Sequence, residues 1–341
     1  MKRVLLACDH ELTRNNGILR FMIEASYLLR THPRGYQVDL LTDNPPIEDC
    51  EYYFDNIYSP EPFDYETARP SKTTPIQYDE RKESRLRQAY QQTRQNYDLV
   101  ITNDIHSALA FGKLDVNSHH YVHTASLITK ENWTFLSTDV IKREQEFCKN
   151  NRQVYVPTEW MKRHHFKRAQ VLPLPLTRIH EYKNRDMRQR QGVLFMGEGT
   201  LRKGADDFVA VMNKLSYPAR IIASSEAEVK FDIRVKTQQC FTPKQTREKQ
   251  QFIQQSRLMY YPSRSETISY VVLEAALSQP VVLAQEYDWS KQHQDWAYIV
   301  PYNKVSQTIT ELYLFGSDGR EQRVEEYILK GHQAWGTLVD K

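Results

Sequence analysis

The sequence predicts an α/β protein built as two domains, each with a parallel sheet. Its 341 residues correspond to two domains of ordinary size. Short apolar runs alternate with helical patterns in both halves of the chain, first from Val4 and again from Gly192. This alternation is typical of strand–helix–strand units. With 40% hydrophobic residues, such a chain can bury a core in each half, which excludes a globally disordered protein.

The first half begins with a strand, a polar turn, a helix and a second strand. The apolar run 4–7 predicts a buried strand, apolar residues recur at helical spacing over 18–29, and 38–42 is the next strand. Further strands are predicted at 98–102, 120–123 and 153–156. The proline-rich residues 43–97 are interpreted as an irregular insert that contains an exposed helix over 81–95.

The second half repeats this alternation. Strands are predicted at 193–196, 219–223, 258–261 and 280–284, and helices at 206–215, 245–255 and 270–277. A last helix over 321–338 has no strand after it. The domains are therefore placed at 1–176 and 177–320, with 321–341 packing back on the first domain. We expect two Rossmann-like domains that face each other across a cleft.

Charge and cysteine content narrow the class of protein. Lys and Arg total 46 against 43 Asp and Glu, and the net charge of +3 excludes neither a nucleic-acid partner nor a small anionic ligand. Four isolated cysteines, with no CxxC pair, suit neither a disulfide framework nor a zinc knuckle. No stretch approaches the ~20 apolar residues of a membrane span, and the amino-terminal apolar run is too short for a signal peptide. We expect a cytoplasmic protein without a membrane span; its oligomeric state stays open.

The densest chemical signal lies in residues 262–283. Glu266 and Glu274 stand eight positions apart, one in a loop and one on the following helix. Free backbone N–H groups at a helix start bind anions, and carboxylates on either side can bind hydroxyls. A nucleotide-sugar has sugar hydroxyls, a diphosphate and ribose hydroxyls in a row, and therefore suits this segment. A surface Glu followed by a helix-face Glu would have the same spacing.

A second signal is the basic turn after the strand at 193–196. Gly197-Glu198-Gly199 ends that strand, and Arg202-Lys203-Gly204 precedes a helix. Two cations beside flexible backbone suit a diphosphate, Arg through two parallel hydrogen bonds and Lys as a point charge. A solvated basic turn would look the same.

In order and separation, the two segments resemble the retaining family-4 glycosyltransferases of the GT-B fold. That family has a strand ending in Gly, a basic Lys-Gly turn, and then Pro-Ser…Glu, seven residues and Glu. The matching positions are Gly197, Arg202-Lys203-Gly204, Pro262-Ser263, Glu266 and Glu274. In the first half, Asn16-Gly17 is similar to the family's Gly-Gly loop, and Gly35-Tyr36-Gln37-Val38 to its entry into the second strand. The likeness covers most of the chain except 43–97. Ile268-Ser269-Tyr270 departs from the family's usual Phe-Gly-Leu.

The resemblance implies a retaining glycosyltransferase that uses a nucleoside-diphosphate sugar, with a uridine diphosphate (UDP) sugar favoured, and neither a metal nor another cofactor. His123 and Glu266 would be catalytic, His123 against the reacting sugar and Glu266 on its hydroxyls. The donor-binding residues would be Gly17, Gly197, Arg202, Lys203, Ser269, Tyr270 and Glu274. Among them, Arg202 and Lys203 would neutralise the diphosphate and Glu274 would bind the ribose.

A zinc site at the histidine-rich strand is disfavoured. On a strand, His119 and His123 share one face while His120 points to the other, and no carboxylate completes a ligand set.

The acceptor is indicated by basic clusters and by a narrower likeness. Residues 17–21, 98–103 and 121–123 resemble stretches of phage DNA α-glycosyltransferases, which place a sugar on 5-hydroxymethylcytosine in duplex DNA. The favoured acceptor is therefore such a base in phage DNA. The expected DNA contacts are Arg14, Lys162, Arg163, Lys167 and Arg168, and other cations stand at Arg81, Lys82, Arg85, Arg87, Arg185, Arg188 and Arg190. Solvated helix faces would have the same composition.

Two alternatives remain. One is a glycosyltransferase that acts on a glycan, a lipid carrier or a small metabolite. The other is a catalytically degenerate GT-B protein that binds DNA or a partner. Ser269 in place of Gly keeps the degenerate protein open, whereas Glu266, Glu274, Arg202 and Lys203 argue against it.

Overall fold

The computed structural model describes residues 2–9, 17–46, 50–63, 77–114, 116–123, 137–177, 179, 190–223, 229–241 and 246–340. The chain divides into two compact units. Unit 1 comprises Met1–Thr177 and Ile328–Lys341, and unit 2 comprises Arg178–Tyr327.

Unit 1 is built on a seven-stranded parallel sheet in the order β3-β2-β1-β4-β5-β6-β7. Its strands are β1 (Arg3–Cys8), β2 (Gln37–Thr42), β3 (Asn56–Tyr58), β4 (Leu99–Thr102), β5 (Ser118–Tyr121), β6 (Val154–Val156) and β7 (Gln170–Val171). The strand order reverses between β1 and β4, and in sheets of this kind ligands bind beyond the carboxyl ends of the strands at that point.

The helices of unit 1 cover the sheet with apolar faces. They are α1 (Gly17–Arg30), α2 (Glu80–Thr93), α3 (Ile105–Gly112), α4 (Thr138–Asn150) and α5 (Glu159–His164). Helix α1 follows the predicted period, because Phe21, Met22 and Ala25 are fully buried on one face.

Unit 2 is built on a six-stranded parallel sheet in the order β10-β9-β8-β11-β12-β13. Its strands are β8 (Val193–Met196), β9 (Ala219–Ala223), β10 (Thr237–Phe241), β11 (Leu258–Tyr261), β12 (Val281–Ala284) and β13 (Tyr298–Val300). Its helices are α6 (Ala205–Met212), α7 (Thr246–Gln254), α8 (Tyr270–Ala276) and α9 (Val305–Phe315). Phe195, Phe208 and Ile221 lie in its main hydrophobic core.

The last helix, α10 (Arg323–Asp340), belongs to unit 1 from Ile328 onward. There Trp335 is fully buried, and its Nε1 donates to the Pro173 carbonyl at 2.9 Å. His332 Nε2 lies 2.8 Å from the Leu176 carbonyl. The helix therefore packs on the segment that ends unit 1.

The predicted fold class, two parallel-sheet α/β domains, is confirmed. The interpretation of 43–97 as irregular is wrong at β3, which pairs with β2. The helix predicted over 81–95 corresponds to α2, but it is not fully exposed, because it buries Leu86 and Ala89. A three-residue edge strand leaves almost no periodic signal, and the many charges of α2 hide its narrow apolar face.

Candidate functional site

Two segments that are far apart in sequence meet in unit 2, the turn after β8 and the loop after β11. Gly204 has a φ of +69°, and a Cβ atom there would lie 2.2 Å from the Pro262 carbonyl oxygen. Only glycine fits this close approach without displacing the backbone. The Arg264 N–H donates to the Arg202 carbonyl at 2.9 Å, so the basic turn and the loop are joined directly.

The side chain of Arg264 strengthens this junction. Its guanidinium donates to the Leu201 carbonyl at 2.5 Å and to carboxylates of Asp206 and Asp207 at 2.7 and 2.8 Å. These two aspartates occupy the first turn of α6. The turn, the loop and the start of α6 therefore form one hydrogen-bonded group.

Glu266 lies at the centre of this group. Its Oε1 accepts hydrogen bonds from the Tyr261 hydroxyl at 2.5 Å and the Ser263 hydroxyl at 2.9 Å, and it forms an ion pair with the Lys203 ammonium. Within the residues that the structure describes, Oε2 accepts no hydrogen bond, and the side chain is 13% exposed. One oxygen of the carboxylate is thus held by protein donors, and the other is available to a ligand hydroxyl.

The charge of Glu266 is set by opposing effects. Burial raises the pKa of the carboxyl. The charge and hydrogen bond of Lys203, the hydrogen bond from Tyr261 and the charge of Arg202 together lower this pKa by more than burial raises it. The net result is a pKa below the ordinary glutamate value. Glu266 is therefore a carboxylate throughout the neutral range.

Arg202 lies on the outer side of the same turn. Its guanidinium forms an ion pair with Glu198 at 2.8 Å, and its side chain is 36% exposed. An exposed pair of this kind contributes only about 0–1 kcal/mol, so an anionic ligand can compete for the guanidinium. Gly197, at the start of the turn, has ordinary contacts to Lys203, since a Cβ atom there would lie 3.5 Å from the Lys203 Cβ.

The predicted donor-binding residues at the start of α8 and within it are buried. Glu274 is 1% exposed, and its Oε2 lies 2.6 Å from the ammonium of Lys249 on α7. The Ser269 side chain caps α8 by accepting from the Val272 N–H at 3.4 Å, and Tyr270 is buried beside it. Sequence reasoning missed Lys249 and Tyr261. It named Ser263 only as part of the Pro-Ser motif and assigned it no role, although its position three residues before Glu266 was a usable signal.

In unit 1 the structure brings Gly17 and His123 together. His123 lies two residues beyond the end of β5, not at the end of a strand as predicted. Its buried ring stacks on Phe21 of α1, with centroids 5.5 Å apart and an interplanar angle of 23°. A Cβ atom on Gly17 would lie 3.5 Å from His123 Cε1. The start of α1 therefore lies directly against the imidazole.

A second polar group of unit 1, missed as a group from sequence, lies where β1 and β4 end. His106 Nδ1 lies 2.5 Å from Asp9 Oδ2, and the Asp104 carboxylate accepts from the Asp9 N–H at 2.7 Å. Ligand atoms of these three side chains lie within 4.8 Å of one another, close enough for a metal ion. However, the Lys82 ammonium already lies 3.3 Å from Asp9 Oδ2 and balances its charge. Beside them, the side chain of Asn103 is buried without a hydrogen-bond partner among the described residues.

The basic residues fall into two classes. Arg163, Lys167 and Arg168 are exposed after β6, and Lys162 is half-buried on α5 beside them. We call these four residues the basic patch. Within the patch, Arg163 forms an exposed ion pair with Glu159 at 3.8 Å, and Arg168 donates to the Lys149 carbonyl at 3.0 Å. The cations of α2 are paired with carboxylates of Asp79, Asp9, Asp43 and Glu83.

These ion pairs offset the positive charge of the α2 cations, which therefore attract a phosphate less strongly than unpaired cations would. Arg190 is buried and donates to the Ser278 carbonyl, so it is not a surface cation. Arg14, Arg185 and Arg188 lie outside the described residues.

No protein-family model and no curated protein matches the chain. Solved structures do match it over nearly its whole length. Sucrose-phosphate synthase from Thermosynechococcus elongatus has a TM-score of 0.71 at 14% identity and covers 99% of each chain. Anabaena HepE in complex with UDP and glucose has a TM-score of 0.68 at 12% identity, with 100% of this chain and 97% of that chain covered. A trehalose-6-phosphate protein from E. coli bound with UDP-2-fluoro glucose has a TM-score of 0.67 at 11% identity, with 99% of this chain and 98% of that chain covered.

Identities this low show the fold alone. The chain has the GT-B type of fold that the sequence predicted, with two parallel-sheet α/β domains. Among the helices in the described ranges, none combines the length and the hydropathy that crossing a membrane requires.

Proposed function

We propose that the protein is a retaining glycosyltransferase that moves a sugar from a UDP-sugar to a hydroxyl acceptor. The observation that carries this proposal is Glu266, whose Oε1 is held by Tyr261, Ser263 and Lys203 while Oε2 has no hydrogen bond among the described residues. A fixed carboxylate with one available oxygen binds a sugar hydroxyl in a single orientation. Structures of the same fold contain UDP with glucose, or UDP-2-fluoro glucose, which supports this class of donor.

The chemistry assigns a role to each neighbour of Glu266. The bond between the sugar C1 and the diphosphate oxygen breaks, the acceptor oxygen bonds to C1 from the same face, and the acceptor proton goes to the departing diphosphate. Negative charge therefore builds on the diphosphate, where the cations of Arg202 and Lys203 stabilise it. Glu274 with Lys249 binds the ribose, and His123 contacts the reacting sugar. Ser269 and Tyr270 at the start of α8, with Gly197 and Gly17, complete the donor site.

Substitution of Glu266 tests the donor site. Glu266→Gln keeps the shape and removes the charge. The amide oxygen should stay with the three protein donors at the Oε1 position, so that the NH2 group, a donor, faces the sugar hydroxyl in place of the acceptor. We expect kcat to fall about 100-fold, the order of loss for one such polar contact, while the Kd of UDP changes less than about threefold. Donor hydrolysis measures kcat, and calorimetry measures the Kd of UDP. Glu198→Gln, on the exposed carboxylate of the same turn, is the matched control, and full activity of Glu266→Gln would refute the assignment.

For the acceptor, we propose 5-hydroxymethylcytosine or a similar hydroxylated base in phage duplex DNA, so that the reaction belongs in the host cytoplasm. The support is the likeness of 17–21, 98–103 and 121–123 to phage enzymes, together with the exposed basic patch. Next to the patch, Trp160 packs against His164 and His165 with ring centroids 5.0 Å apart. Cations beside aromatic rings suit a nucleic-acid backbone. The target base must leave the stack to reach the enzyme, at a cost of a few kcal/mol.

The DNA acceptor is tested by charge reversal at the basic patch. With Lys162, Arg163, Lys167 and Arg168 changed to Glu, DNA affinity should fall at least tenfold and its salt dependence should flatten. The matched control reverses four exposed lysines elsewhere: Lys142, Lys214, Lys236 and Lys304. Equal losses in both variants would show that only net charge matters and would remove the patch as the DNA contact.

A transfer assay separates the remaining acceptors. The protein is incubated with UDP-sugars and duplex DNA that contains 5-hydroxymethylcytosine, and the digested nucleosides are examined by mass spectrometry. A glycosylated nucleoside that is absent with Glu266→Gln supports the DNA acceptor. Donor hydrolysis without that product would indicate a glycan, lipid or metabolite acceptor, and the absence of both would indicate a protein that binds without catalysis.

A further inference from the structure

The loop that carries Glu266 is supported from behind by a short 3-10 helix, Asp288–His293, which we call the brace. The indole Nε1 of Trp289 donates to the Ser263 carbonyl at 3.0 Å, and the amide of Gln292 donates to the Thr267 carbonyl. These carbonyls lie on either side of Glu266 in the sequence. Because both are held from the same helix, the brace fixes the backbone from which the Glu266 side chain projects.

Trp289 also connects the brace to the hydrogen bonds of Glu266 itself. Its ring lies edge-on to Tyr261, with centroids 6.0 Å apart at 80°. Tyr261 is one of the two hydroxyl donors to Glu266 Oε1. The brace therefore supports the carboxylate through the backbone of its loop and through one of its donors.

The last residue of the brace is His293, which is fully buried. Its ring lies nearly perpendicular to Trp289 and to Trp296, at centroid distances of 5.7 and 5.6 Å. In the part of the chain that the structure describes, neither ring nitrogen has a hydrogen-bond partner. Burial lowers the pKa of His293 to about 3, although the nearby charge of Glu266 opposes this. The ring is therefore neutral at physiological pH and brings one unpaired donor and one unpaired acceptor into the core.

Such a residue is not explained by packing. A phenylalanine would fill the space between two tryptophans without leaving polar atoms unpaired, and would favour folding. Ser265, next to Glu266 on the loop, also has a buried hydroxyl without a partner among the described residues. The brace and the loop that it supports therefore each bury an unpaired polar group, and a hydrogen bond between the two would satisfy both.

We propose that His293 is a positioning residue for Glu266: its imidazole forms a hydrogen bond with the 263–267 loop, at Ser265, when Glu266 binds the hydroxyls of the donor sugar. This inference rests on the proposed function, because it requires a sugar at Glu266. When the sugar binds, the unpaired polar groups of His293 and Ser265 form a hydrogen bond with each other. Part of the sugar's contribution to affinity and to kcat arises from this hydrogen bond. UDP alone does not reach Glu266 and does not produce this effect.

The test compares His293→Phe, which keeps an aromatic ring and removes both nitrogens, with His293→Gln, which keeps a donor and an acceptor. Thermal unfolding is measured with no ligand, with UDP, and with UDP-glucose, UDP-galactose or UDP-N-acetylglucosamine. In the wild-type protein a UDP-sugar should raise Tm more than UDP does. In His293→Phe we expect a higher Tm without ligand, an unchanged shift with UDP, and an additional shift from the sugar of less than half the wild-type value. His293→Gln should retain that additional shift.

Turnover gives an independent readout that a residue with only a packing role would not change in this way. For donor hydrolysis, kcat of His293→Phe should fall at least tenfold with KM changed less than threefold, and kcat of His293→Gln should stay within threefold of wild type. A wild-type kcat and sugar shift in His293→Phe would overturn the inference. So would equal losses in both variants, since size rather than hydrogen bonding would then matter. A wild-type protein that does not distinguish any of the three UDP-sugars from UDP would refute the proposed function and the inference together.

Discussion

At the scale of single residues, Lys203 is the largest of the influences that keep Glu266 a carboxylate despite its burial. Burial alone would raise the pKa of this carboxyl, and Lys203 provides the largest opposing effect through its charge and its hydrogen bond. The same ammonium lies where the diphosphate is proposed to bind. Lys203 therefore has two roles, since it keeps Glu266 ionised and stabilises the leaving group.

The first role predicts a pH dependence. In the wild-type protein Glu266 stays ionised down to a pH below the ordinary glutamate value, so the acid limb of kcat/KM lies below about pH 4.5. Lys203→Met leaves burial unopposed by that charge, so the pKa of Glu266 rises and the acid limb should move up by at least one pH unit. The pH profile of donor hydrolysis measures this. Lys249→Met, which removes the cation paired with Glu274, is the control and should leave the acid limb in place.

How far the site can be predicted from the sequence differs between its residues. Glu266 and Lys203 are predictable because each stands at a fixed spacing from a glycine or a proline that shapes the backbone. Lys249 and His293 are not, because they reach the site from α7 and from the brace, and only tertiary packing defines those neighbours. His106 and Asp9 likewise become a pair only because β1 and β4 are adjacent in the sheet.

At the scale of elements, the junction between the basic turn and the Pro262 loop makes the donor site possible. Strands β8 and β11 are neighbours in the sheet, so the segments that follow them emerge side by side. Gly204 allows the turn to touch the Pro262 carbonyl, and the Arg264 N–H then joins the two backbones. The strands themselves were predictable from their apolar runs, whereas this contact depends on a backbone conformation that the pattern of residues does not show.

Gly204→Ala should break this junction. The alanine would have to adopt a left-handed backbone conformation, and its Cβ would lie 2.2 Å from the Pro262 carbonyl oxygen. We expect the free energy of unfolding to fall by at least about 2 kcal/mol and UDP binding to weaken at least tenfold. Gly35→Ala is the control, because Gly35 also has a positive φ, at +58°, but no atom lies within 4 Å of the added Cβ. It should cost only about 1 kcal/mol and leave UDP binding unchanged.

At the scale of the whole molecule, each unit buries a histidine whose pKa lies far below the ordinary value. His120 lies on β5 in unit 1, and His293 ends the brace in unit 2. Burial lowers the pKa of each from 6.5 to about 3. His120 has one partner, since its Nδ1 lies 3.1 Å from the Thr102 hydroxyl. The two units should therefore share a sensitivity to acid that arises from separate residues.

Stability of both units should decline as the pH falls from about 6.5. The unfolded chain binds a proton at each histidine below its pKa of 6.5, whereas the folded chain does not until about pH 3, so acid favours unfolding. Each histidine contributes a slope of up to about 1.4 kcal/mol per pH unit in this window. Protonation of Glu266 also favours unfolding, but only at lower pH, because its pKa in the folded protein lies below 4.5.

Hydrogen exchange, followed separately in the two units at pH 7 and pH 5, measures how steeply the stability of each unit depends on pH. His120→Asn should flatten the slope of unit 1 and His293→Phe that of unit 2, and an unchanged slope in either unit would show that its histidine is already protonated in the folded state.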